Sequence, residues 1–145
     1  MPTDLGRPYD ITWRGDPPHM LKPDIPVWYR FLATYGPFFL NLYYDCLVGG
    51  PAYTPGQLKD PILRMWRHNL AKRLDALADL EHEVWIIEVA ADPGLRSLGQ
   101  LLTYQTLWVR DPKVLKPEKL VLVCDTIEPD LLDAAGQRSM QVFVV

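Results

Sequence analysis

Lys72–Gln105 reads KRLDALADLEHEVWIIEVAADPGLRSLGQLLTYQ, and the order of its residue types decides the fold. It predicts a strand, a short polar turn, a second strand, a loop and a helix. In the first strand alternation puts Arg73, Asp75 and Leu77 on one face, with Lys72 turned away from Asp75. Leu80-Glu81-His82-Glu83 is polar and short enough to close a hairpin. Val84–Ala90 is almost entirely branched or aromatic, as a strand covered on both faces should be. Glu88 stands in the middle of that run. A charge there is costly unless something pairs with it, so Glu88 has either a partner or a task. The helix that follows carries Gln100 and Tyr104 four residues apart, one turn above the other on the same face.

An acid on one strand, a hairpin, an acid on the next strand and a Gln-x-x-x-Tyr helix together resemble the PD-(D/E)XK nuclease superfamily. The resemblance covers roughly residues 63–123. It implies a restriction-endonuclease-like fold, with Asp75 and Glu88 as the metal-binding acids and Gln100 and Tyr104 as the helix motif. It also implies Mg²⁺ as the cofactor wherever the site still works. More loosely, the chain is similar to small phage and environmental proteins with a Trp-Ile-Ile-Glu-Val-Lys strand and a Leu-Gly-Gln-Leu-Leu-x-Tyr helix. The departure from the pattern falls two residues after Glu88, where the family's Lys is replaced by Ala90. In the family that Lys handles the attacking water and steadies charge on the phosphate, and a methyl group does neither. Loss of one such charge-stabilising donor typically costs a hundred- to a thousandfold or so in rate. Arg73 and Arg96 are the candidates for a displaced cation.

The chain has 145 residues, which fits one domain, and a formal net charge of −3. An acidic balance disfavours a protein whose main work is gripping phosphates. Cys46 and Cys124 lie in apolar runs without metal-ligand spacing and read as buried thiols. The N-terminus lacks an apolar signal core and no stretch approaches membrane-spanning length. The expected setting is therefore the cytoplasm or a particle assembled in it, with no membrane partner.

Residues 1–23 read as an extended Pro-rich arm outside the core, and residues 24–145 as a single α/β domain. Tyr9, Ile11, Trp13 and Met20 give the arm an apolar side. That side either lies back on its own domain or reaches another protein subunit. Asp24-Ile25-Pro26 opens a helix that Gly36-Pro37 ends, and Phe38–Val48 reads as a strand. Asp45 in that strand is a third acid, placed to join Asp75 and Glu88 or to be paired elsewhere. A helix near Leu58–Ala71 has an apolar side of Ile62, Leu63, Trp66 and Leu70, and its Arg64, Arg67 and His68 form a solvated basic face. His68 has no second His or Cys at ligand spacing. A helix from Leu95 to about Val109, a strand at Leu120–Cys124, a helix from Glu128 to about Ala135 and a strand at Met140–Val145 complete the order.

The expected architecture is a mixed sheet of about five strands flanked by helices, antiparallel at its start and parallel afterwards. Tyr44, Leu77, Ile86, Ile87, Leu102, Leu122 and Val144 should lie inside it. Three functions fit these features. The first is a nuclease-fold protein without catalysis that serves as a structural or binding component, set by the looser resemblance in a phage particle around the neck or tail. The second is a Mg²⁺-dependent nuclease with a displaced basic residue. The third is a plain α/β partner-binding domain in which Asp75 and Glu88 pair with arginines.

Overall fold

The computed structural model describes residues 2–145. Five strands form one sheet in the order β1-β2-β3-β4-β5: Asn41–Val48, Lys72–Asp79, Val84–Val89, Glu118–Cys124 and Gln141–Val144. The first two pairings are antiparallel and the last two parallel. This division follows from the connections. A short polar turn joins β2 to β3, whereas a parallel neighbour needs a crossover. Helices α3 (Leu95–Arg110) and α4 (Pro129–Gln137) supply the two crossovers, and α1 (Asp24–Tyr35) and α2 (Pro61–Leu70) flank β1 in the chain.

The sheet separates two cores. One gathers Val27, Trp28, Phe31 and Leu32 of α1 against Ala76, Ala78, Ile87 and Val121. The other gathers Leu98, Leu101, Tyr104 and Trp108 of α3 with Leu131 and Ala135 of α4 against Leu77, Ile86 and Leu122. Every residue of β3 is buried, Glu88 included, as a run apolar at every other position requires.

Residues 2–23 lie back on the domain. Asp4 and Leu47 exchange backbone hydrogen bonds, and the Tyr9 amide donates to the Leu42 carbonyl, so the segment covers the open edge of β1. Tyr9, Ile11 and Trp13 pack against the α1-side core, and Met20 belongs to it. The arm is thus part of the core it was expected to lie outside.

Strand alternation fails at one place, and the site depends on it. Leu74 and Leu77 both face α3, three residues apart, while Ala76 and Ala78 face α1. On the paired strand Tyr44 faces α1 but Cys46 faces α3. Asp45 lies between them with φ 53°, in the left-handed region that a short polar side chain tolerates. The two strands therefore change faces together around Asp45 and Asp75.

Three further expectations are corrected. Leu102 and Val144 are exposed, because Leu101 and Tyr104 take the inward side of α3 and the last strand sits at the sheet edge. Ile62, Trp66 and Leu70 of α2 face outward. The side chain that α2 buries is Arg67, whose guanidinium donates to the Gly49 carbonyl at 3.1 Å. The strand before it begins at Asn41 and not at Phe38, because Gly36–Phe38 forms a 3₁₀ turn.

Candidate functional site

Glu88 and Val89 end β3 and, with Ala90 just beyond it, line a cavity of about 240 Å³. Carboxyl ends of strands are where open α/β sheets place their ligand crevices. Asp75 comes from the adjacent β2, Asp24 from the first turn of α1, and Arg96, Ser97 and Gln100 from the start of α3. The β2–β3 register ends at the pair Ala76–Ile87, the residues next to Asp75 and Glu88.

Each acid has a distinct role in the wall. Asp75 accepts the Val89 amide through Oδ2 at 2.8 Å. Asp24 accepts the Ala91 amide through Oδ1 at 2.8 Å. Both bonds fix the backbone as β3 leaves the sheet. Glu88 is almost wholly buried. Burial holds its carboxyl far above the ordinary carboxylate range, and a hydrogen bond with Asp75 and the charges of Asp75 and Asp24 push the same way. The Arg96 guanidinium opposes this without prevailing. Glu88 therefore keeps its proton at neutral pH. Asp24 is desolvated as well, and its carboxyl is also raised.

A second cavity, of about 400 Å³, adjoins the first through Arg96 and Gln100, which line both. Lys72, Gly99, Thr103 and Tyr104 complete it. Tyr104 is buried, and its hydroxyl is held neutral by desolvation, with the charge of Asp75 pushing the same way. Lys72 was expected to turn away from Asp75. It lines this second cavity with Arg96 and Gln100 and does not line the one that holds Asp75.

Asp75, Glu88, Ala90 and Gln100 thus line one cavity, and Tyr104 lines its neighbour. Arg73 does not join them. It pairs with Asp45 at 2.7 Å in a separate cavity that also holds Tyr9, Tyr44 and His68. Asp45 is therefore committed to Arg73 and His19, and the third acid of the site is Asp24. The sequence marks Asp24 only as a helix start. Its approach to Glu88 depends on how α1 lies across the sheet, which no local pattern reports.

Mg²⁺ asks for ionised oxygen ligands in a nearly octahedral shell at about 2.0–2.1 Å. Here Glu88 holds a proton, and Asp24 and Asp75 each spend an oxygen on a backbone amide. Among the described residues no three His, Cys, Asp or Glu side chains are placed to hold a metal ion. Among the described residues, too, no helix is long and apolar enough to cross a membrane. Comparison with family models, with curated proteins and with solved structures finds no match.

Proposed function

We propose that this chain is a nuclease-like protein without catalysis that works as a structural or binding component, with a phage particle as the setting its sequence resembles. The observation that carries the reading is the state of the carboxylate cavity. Ala90 contributes a methyl group to the wall of that cavity where the family's mechanism needs an ammonium, and burial beside Asp75 and Asp24 raises the Glu88 carboxyl. The acids hold β3, α1 and the Val89–Ala91 backbone together, which is a structural use of residues that elsewhere serve chemistry. Calorimetric titration of the protein with Mg²⁺ and Mn²⁺ at neutral pH tests this. No saturable binding is expected. Binding that disappears in Asp75→Asn would count against the reading.

A second reading is a metal-dependent nuclease with a displaced cation. One observation favours it: Arg96 lines both adjoining cavities, and Lys72 lines the one next to the acids. An arginine is a poor proton acceptor at neutral pH, so Lys72 is the residue this reading needs. It predicts DNA cleavage that Lys72→Ala abolishes.

A further inference from the structure

Helix α2 is built inside out. Its one buried side chain is Arg67, while Ile62 is 60% exposed, Met65 53%, Trp66 48% and Leu70 48%. These four lie at helical spacing along one stripe. Contiguous apolar surface of this kind on a soluble domain marks an interaction site. The stripe is flanked by Arg64 and His68, and no acid occurs between Pro61 and Leu74.

The opposite edge of the sheet has the complementary character. α4 joins β4 to β5 at that edge, as α2 joins β1 to β2 at the other. Around it lie Glu128, Asp130 and Asp133, with no Lys or Arg from Leu120 to Gln137. Between these acids Leu132 is 43% exposed, and Val144 of β5 is 57% exposed. Among the described residues none of Arg64, Glu128, Asp130 and Asp133 forms an ion pair.

We propose that α2 of one copy docks on the α4 edge of a second copy. Basic, apolar α2 meets acidic α4 with Leu132 and Val144, so burial of the stripe and charge pairing act together. Pairing α2 with α2 would bury the stripe equally well but would set Arg64 and His68 against like charges. The two surfaces lie on opposite edges of one sheet, so the contact is head-to-tail. Repeated, it closes into a ring or extends into a filament. Neither surface includes a residue of the carboxylate cavity, so the outcome of any cleavage assay leaves this proposal untouched.

The test is light scattering on the full chain across a concentration series at low and high salt. The mass should rise above the monomer with concentration and fall with salt. Trp66→Asp removes the head and Leu132→Arg the tail, so each variant alone should be monomeric. Mixed, they should form a one-to-one complex of twice the monomer mass that grows no further. Circular dichroism checks that both variants fold. If either does not, Arg64→Asp and Asp133→Arg replace them; each should weaken association, and combining both in one chain should restore it. A wild-type chain that stays monomeric throughout would overturn the proposal, including one that instead floats with anionic lipid vesicles. So would a Leu132→Arg variant that still dimerises, which would mean that α2 pairs with itself.

Discussion

Glu88 keeps a proton that an ordinary glutamate loses near pH 4.5, because it is buried beside Asp75 and Asp24. In the unfolded chain that proton leaves at the ordinary value. The stabilising contribution is therefore fully present below about pH 4.5 and is lost as pH rises towards the raised value of the folded state. The loss amounts to as much as about 1.4 kcal/mol per pH unit while only the folded form holds the proton. Glu88→Gln keeps the shape and removes the titration. Urea unfolding at about pH 4, 6 and 8 should show the wild type losing stability relative to the variant as pH rises. Equal differences at all three values would mean that Glu88 is ionised in the folded protein. The position of Glu88 was legible in the sequence, since one acid stood in an otherwise apolar strand. Its neighbours were not all legible. Alternation assigned Arg73 to Asp75, but the left-handed turn of the backbone at Asp45 hands Arg73 to Asp45 and leaves Lys72 facing α3.

Elements read well wherever their burial is two-sided. β3, apart from Glu88, and residues 120–124 of β4 are apolar runs, and the structure buries them. α2 shows where periodicity stops informing. It identifies the apolar side of a helix but not what that side meets, and here it meets solvent in the single chain. How α1 seats on the sheet is likewise set by long-range bonds. The Trp28 indole N–H donates to the Tyr44 hydroxyl at 2.8 Å, joining α1 to β1 inside the core. Tyr44→Phe would leave a buried N–H without a partner, at a cost of about 1–3 kcal/mol. A fall in the urea midpoint of that order, without a change in the slope of the transition, is expected. An unchanged midpoint would mean that the indole N–H finds another acceptor.

At the scale of the whole molecule, the order of elements and the mixed sheet followed from turn signals and from alternation of strand with helix. The apolar side of the arm allowed a return onto its own domain, but the edge of β1 that residues 4–9 cover was not legible, since Pro-rich sequence states only that a segment is extended. The molecule brings three acids, one arginine and one glutamine to the end of β3, beside a methyl group at position 90. Such a wall supports the fold, and it lacks the ammonium that water-mediated cleavage of a phosphodiester would use. Ala90→Lys supplies that group with one change and would show whether the acids retain a usable placement. The unmodified protein gives the most direct answer. Incubated with supercoiled and single-stranded DNA and Mg²⁺ or Mn²⁺ at neutral pH, it should leave both intact. Efficient metal-dependent cleavage that Glu88→Ala abolishes would contradict the account.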